Sequence, residues 1–129
     1  MESPHKSTSG LQRIGRAFFY SMDGFTAALK HEHAFRQELM MCMVMLPFAI
    51  FMPLVATERV LLIASLLLVL VVEILNSAIE AVVDRISLEN HELSKRAKDF
   101  GSAAVFISLV IVIVTWGLIA GPALVKLMR

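Results

Sequence analysis

Three long apolar runs dominate this chain, and each is long enough to cross a bilayer, which takes about 20 helical residues. The first, Leu39 to Ala56, is uncharged and contains Pro47 and Pro53. The second, Val60 to Val83, is mostly apolar but carries Glu73, Asn76 and Glu80. The third, Phe100 to Val125, is uncharged and reaches the Gly121-Pro122 breaker near its end. Only Thr57-Glu58-Arg59 separates the first two, which predicts a tight antiparallel hairpin. A soluble domain of 129 residues cannot cover 57% hydrophobic residues with 18% charged ones. Small domains have a high surface-to-volume ratio and need more polar covering, not less. The excess apolar surface must face lipid, which excludes an ordinary soluble domain and a disordered chain. The expected fold is therefore an all-α membrane protein, one membrane domain over residues 1–129, with spans at 36–56, 60–84 and 96–121 and a connection at 85–95.

The remaining totals narrow the function. Cys42 is the only cysteine, so no intrachain disulfide and no cysteine-based zinc site can form. A net charge of +1 argues against a nucleic-acid partner, which needs a concentrated basic face. Residues 1–10 are polar and read as a flexible tail without a cleavable signal peptide, so the spans themselves are expected to direct insertion. Lys6, Arg13, Arg16, Lys30 and Arg36 precede the first span, and Arg85, Lys95, Arg96 and Lys98 lie between the second and third. The other side holds Arg59, Lys126 and Arg129. This asymmetry places the N-terminus and the second connection in the cytoplasm and the C-terminus outside.

Leu11, Ile14, Phe18, Met22, Phe25 and Leu29 recur at helical spacing and fall within an arc of about 80°. Residues 11–30 therefore read as an amphipathic helix, either on the membrane surface or packed on the bundle, with Gly24 a possible break. Asn76, Ser77, Glu80 and Asp84 share one stripe with Glu73, within an arc of about 100°. A charge at mid-membrane costs about 2.5–3.5 kcal/mol on insertion scales. Two aligned carboxylates must then face protein, water or a ligand. Asn76 and Ser77 alone would suit an interhelical hydrogen-bonded seam, but no Lys or Arg lies within the three apolar runs to pair the carboxylates. Glu73 and Glu80 are separated by about 10.5 Å along the helix axis, too far to share one Mg²⁺ ion. The division that follows puts Glu80 near water, on a cation or phosphate complex. Glu73 lies deeper, as a general base toward a lipid-borne group.

The second connection supplies the opposite charge. Lys95, Lys98, Asp99 and Ser102 lie at helical spacing with His91 on the same face. Lysines beside carboxylates suit a magnesium–nucleotide complex, although positive-inside anchoring accounts equally for Lys95 and Arg96. Neither glycine-rich nucleotide loop is present. Side chains must therefore hold any ATP. His31-Glu32-His33 points its histidines apart on a helix, and Glu32 with Arg36 reads as a surface pair. Gly117 and Gly121 form a GxxxG that can pack helices. The clustered Met40, Met41, Met43 and Met45 read as packing and lipid-facing filler, and Trp116 as an outer-interface aromatic.

The run from Glu73 to Asp84, of form E-x-x-N-[ST]-x-x-E-x-x-x-D, closely resembles the prokaryotic diacylglycerol kinases. Phe35-Arg36-Gln37-Glu38 before the first span and Arg96 to Ala104 before the third agree with it. The similarity runs from about Arg13 to Trp116. It implies a homotrimer in the bacterial inner membrane with active sites shared between subunits. The implied reaction is transfer of the γ-phosphoryl of MgATP to the primary hydroxyl of diacylglycerol, giving phosphatidic acid. By resemblance Glu73 is the base, Asn76 helps organise the site, and Glu32 and Glu80 are metal and phosphate ligands. Arg13, Tyr20, Glu89, Asn90, His91, Lys98 and Asp99 would contact the nucleotide. Phe35, Arg36, Gln37, Glu38, Arg59, Ser102 and Trp116 would line the lipid side with Glu73. The chain departs from the family pattern at Ser87 and Asn90, where Gly and an aromatic are expected. Two other readings stay open: a polyprenol (undecaprenol) kinase of the same family, and a non-catalytic oligomeric membrane channel or assembly protein.

Overall fold

The computed structural model describes residues 9–86 and 89–129, which fold as four helices with no strand among them. The chain divides into two units, Met1–Glu32 and His33–Arg129. In the first, α1 spans Gly10–His31. Its N-cap is Ser9, whose hydroxyl accepts from the Gln12 amide at 3.2 Å and so satisfies one of the donors a helix start leaves open. Ser21 and Thr26 turn their hydroxyls back onto the carbonyls of Ala17 and Met22, both at 2.8 Å. The helix runs through Gly24 without a break. It stops at Glu32, whose backbone is extended (φ −106°, ψ 108°). Neither Gly nor Pro marks that stop. The residue pattern changes there, from the one-sided stripe of α1 to a sequence apolar all round. Glu32 therefore lies outside either helix, and the helical geometry expected for His31-Glu32-His33 does not apply. Most of the tail expected at 1–10 lies outside the described residues, but Ser9 and Gly10 belong to α1 and its cap.

The second unit consists of α2 (His33–Phe51), α3 (Ala56–Ile86) and α4 (Glu92–Leu127). All three are long and apolar enough to cross a membrane. The central helix is α3, which packs along both α2 and α4. Cys42, Leu66, Val69 and Val112 form the core, with Met41, Met45, Leu46, Leu70, Leu109 and Trp116 packed against it. Cys42 donates its S–H to the Leu66 carbonyl at 3.6 Å. The opposite surfaces stay apolar and uncovered, with Leu75, Phe106, Ile113 and Leu118 all exposed. Met40 and Met43 also face outward, while Met41 and Met45 turn in.

Several boundaries differ from the sequence expectation. The first span was expected to continue to residue 56, but α2 ends at Phe51. Pro53 disfavours helical backbone at the preceding Met52, so the turn is made by residues 52–55. Thr57, Glu58 and Arg59, expected as the linker, already belong to α3. The Glu58 carboxylate accepts from the Val55 amide at 3.3 Å, in the manner of a cap. Arg59 reaches back to close the hairpin. Its guanidinium donates to the carbonyls of Ala49 (2.8 Å), Ile50, Met52 (3.3 Å) and Leu54 (3.2 Å). A cation on the last carbonyls of α2 also suits the helix dipole.

At the other end, the connection expected at 85–95 is shorter, because α3 continues to Ile86 and α4 starts at Glu92. His91 caps α4, its Nδ1 accepting from the Leu93 amide at 3.1 Å. Gly121-Pro122 does not end α4, which runs on to Leu127. A proline costs a membrane helix one internal hydrogen bond, and nearby groups or water can satisfy the freed carbonyl. With 31 residues, α3 extends about 46 Å, beyond the roughly 30 Å hydrocarbon core.

Candidate functional site

The polar stripe of α3 follows a gradient of burial. Glu73 is 4% exposed and Asn76 8%, Ser77 and Glu80 are half-buried, and Asp84 is exposed. The stripe thus leads from the interior of the unit to its α3–α4 end, with Glu73 deep and Glu80 shallow. None of it needs to meet lipid at depth.

Packing adds a carboxylate that helical spacing did not reveal. Glu38, on α2, is buried and lies close enough to Glu73 for their charges to interact. Its Oε2 has no hydrogen-bond partner, and neither do the Asn76 Oδ1 and the Ser77 Oγ. Buried polar atoms are nearly always satisfied. Three such atoms gather around one stripe of α3.

The stripe ends at a cleft of about 610 Å³, within the size range of small-molecule sites. Val83 and Asp84 line it from α3, and Glu89, Asn90, His91, Glu92, Ser94, Lys95, Lys98 and Asp99 from the connection and α4. Both lysines are held by carboxylates. Lys98 Nζ lies 2.7 Å from Asp84 Oδ1, and Lys95 Nζ lies 2.6 Å from Asp99 Oδ2. Glu80 does not line the cleft but contributes to the negative field around Lys98. The geometry offers two lysines on α4 for phosphate charge, interleaved with acidic oxygens from Asp84 on α3, Glu89 on the connection and Glu92 and Asp99 on α4.

Five residues expected to contact a nucleotide are therefore brought together: Glu89, Asn90, His91, Lys98 and Asp99. Asp84 stands with them, though the sequence reading gave it no role. Its place in the E-x-x-N-[ST]-x-x-E-x-x-x-D motif was the available signal. Ser87, the other departure from the family pattern, lies outside the described residues. Arg13, Tyr20 and Glu32 belong to the N-terminal unit.

The residues expected on the lipid side are dispersed along the helices. Phe35 and Glu38 are buried on α2, while Arg36, Gln37 and Ser102 are exposed. Arg59 is engaged at the hairpin, about 21 Å along α3 from Glu73, and is not brought to the stripe within the chain. Trp116, expected as an outer-interface aromatic, also has a packing role within the chain. Its ring packs against the core and its Nε1 donates to Ser65 Oγ at 3.2 Å, so α3 satisfies its polar end. Gly117 and Gly121 face open space rather than another helix of the chain.

No group of three His, Cys, Asp or Glu side chains among the described residues encloses a metal site. A divalent cation carried on a nucleotide needs no such cage. Mg²⁺ typically takes one or two carboxylates and completes its shell with phosphate oxygens and water. Glu80 and Asp84, one turn apart on α3, have the chemistry for that limited share.

Comparison with known proteins shows which family the chain resembles. The profile described as prokaryotic diacylglycerol kinase matches residues 19–120. A diacylglycerol kinase of Pseudomonas aeruginosa is 53% identical over 117 residues, 91% of this chain and 95% of the relative. The Escherichia coli K12 diacylglycerol kinase is 53% identical over 110 residues, covering 85% of this chain and 90% of its own. A more distant one from Helicobacter pylori is 40% identical over 116 residues, 90% of both chains. With the buried acidic stripe, the cleft at its end and a match of this extent, the chain belongs to the prokaryotic diacylglycerol kinase family.

Proposed function

We propose that this chain transfers the γ-phosphoryl group of ATP to the primary hydroxyl of diacylglycerol, yielding phosphatidic acid and ADP. The observation that carries the reading is the continuity of the α3 stripe, from buried Glu73 to a cleft holding Lys95 and Lys98. A lipid alcohol approaches from the bilayer side and ATP from the water side, so the reacting atoms meet between them. Glu73 takes the proton of the hydroxyl as its oxygen attacks the γ-phosphorus, and ADP leaves. Asn76, one turn on, orients the reacting groups. Lys98 and Asp99 hold the nucleotide in the cleft with Glu89, Asn90 and His91, and the family resemblance makes Arg13 and Tyr20 nucleotide contacts as well. Positioning and charge neutralisation account for most of the catalysis of phosphoryl transfer, so a scaffold without a nucleotide-binding fold suffices.

Mg²⁺ is the metal of this reading, with Glu80 as its ligand on α3 and Glu32, by resemblance, in the N-terminal unit. When bound, a divalent ion neutralises phosphate charge. By resemblance, Phe35, Arg36, Gln37, Glu38, Ser102 and Trp116 contribute to the binding of the lipid substrate, as would Arg59 in addition to its bonds at the hairpin. The polar stripe and the extensive uncovered apolar surface support self-association, and the resemblance to the family supports a homotrimer with shared sites. The balance of Lys and Arg supports an inner-membrane protein with its N-terminus and α3–α4 connection in the cytoplasm. The same balance supports a C-terminus outside, and the one-sided apolar stripe of α1 supports its lying on the membrane surface.

Radiolabelled ATP given to purified protein in mixed micelles, with diacylglycerol and undecaprenol side by side, tests the substrate. Label in phosphatidic acid is expected. Label in the polyprenol alone would reassign the acceptor, and ion flux without any phosphorylated lipid would favour the channel. Glu73→Gln should lower turnover by about 10²–10⁴-fold, the range of a lost general base, while nucleotide binding persists. Wild-type turnover in that variant would refute the assignment of the base.

A further inference from the structure

We infer that Gly101 is a positioning residue for Asn76, an inference that rests on Asn76 belonging to the phosphoryl-transfer site. Gly101 is buried on α4 where that helix crosses the polar stripe of α3. A Cβ at this position would land on the Asn76 Oδ1. The next nearest atoms also belong to Asn76, its Cγ at 3.1 Å and its Cβ at 3.8 Å. The glycine therefore makes room for one particular side chain. On the same helix Gly117 and Gly121 meet nothing within 4 Å, so the constraint is local to this crossing.

The consequence lies in the rotamer of Asn76. Its carboxamide is buried, its Oδ1 has no hydrogen-bond partner, and that oxygen is pressed against the backbone of Gly101. An amide ordinarily turns until its oxygen finds a donor. Here α4 blocks one side, so the carboxamide keeps a single orientation toward its neighbours on α3. Those neighbours are Glu73, three residues before, and Glu80, four residues after, both on the same face of the helix. Gly101 thus holds Asn76 between the deep and the shallow carboxylate. A methyl group at 101 forces the carboxamide to swing away, and a displacement of about 1 Å in a reacting group can cost about 100-fold in rate.

The test uses the full-length enzyme in lipid–detergent micelles, as Gly101→Ala, Asn76→Ala and the double variant. Gly101→Ala is expected to lower kcat about 100-fold. Its KM for ATP should stay within about twofold, the split expected when a group acts in the transition state. The thermal inactivation midpoint should fall in Gly101→Ala, yet Gly101→Ala should lower it no further in the Asn76→Ala background. There the nearest Asn76 atom left is the Cβ at 3.8 Å, an ordinary contact. If Gly101→Ala alone fails to fold, recovery of folding in the double variant supports the same coupling. Wild-type kcat in Gly101→Ala, or an equal loss of stability with and without Asn76, overturns the inference. Wild-type turnover in Asn76→Ala would instead overturn the role of Asn76, while the stability coupling still reports on Gly101.

Discussion

Arg59→Ala separates two roles for one residue. Family resemblance places Arg59 among the lipid-facing residues, whereas its guanidinium donates to four carbonyls at the α2–α3 turn. The bonds to Met52 and Leu54 are long, at 3.3 and 3.2 Å, and share one nitrogen. The set therefore equals about two full charge-assisted bonds, each worth about 1.5–3 kcal/mol net. The turn is only partly buried and water can reach some of the freed carbonyls. The expected cost is about 2–4 kcal/mol of stability. Arg59→Lys should retain part of this, because one ammonium cannot span four carbonyls as the planar fork does. Thermal inactivation and circular dichroism melting in micelles measure the loss, and KM for diacylglycerol is taken on the same samples. A variant that melts with the wild type while its KM for diacylglycerol rises would refute the hairpin argument and restore the lipid role.

Two further outcomes follow from the same geometry. Glu80→Ala should raise the Mg²⁺ concentration for half-maximal activity by about tenfold or more, since a charge-assisted ligand contributes about 1.5–3 kcal/mol. Titration of activity after chelation and metal return reads it, and an unchanged curve removes Glu80 from the metal. Trp116→Phe should cost about 0.5–1.5 kcal/mol through the lost bond to Ser65, beyond any cost of the smaller ring. In a double-mutant cycle of thermal inactivation with Ser65→Ala, the two substitutions should be non-additive. Strict additivity would show that the indole is held by packing alone.

Residues that act through their own helix were readable in advance. The stripe Glu73–Asn76–Ser77–Glu80–Asp84 follows from helical spacing, and its burial gradient matches the deep and shallow roles given to Glu73 and Glu80. The face carrying His91, Lys95, Lys98 and Asp99 was likewise legible, and these residues do line one cleft. Residues that act across helices were not. Glu38 stands 35 positions before Glu73, and no periodicity links them. The Asp84–Lys98 pair spans the connection, and Gly101 meets Asn76 only because α4 closes tightly on α3. The bond from Trp116 to Ser65 was hidden for the same reason, since its partner lies on another helix.

Local chain physics, written in the order of residues, determined that this protein is helical, that its three long helices suit a membrane, and that one carries an acidic stripe. Apolar surface must leave water and a helix repeats every 3.6 residues, so these properties need no knowledge of neighbours. Only the tertiary structure decided where the proline turn closes, which carboxylates share an interior, and how Lys98 and Gly101 are set against α3. Those outcomes depend on distances between helices, which side-chain packing fixes and residue order does not state.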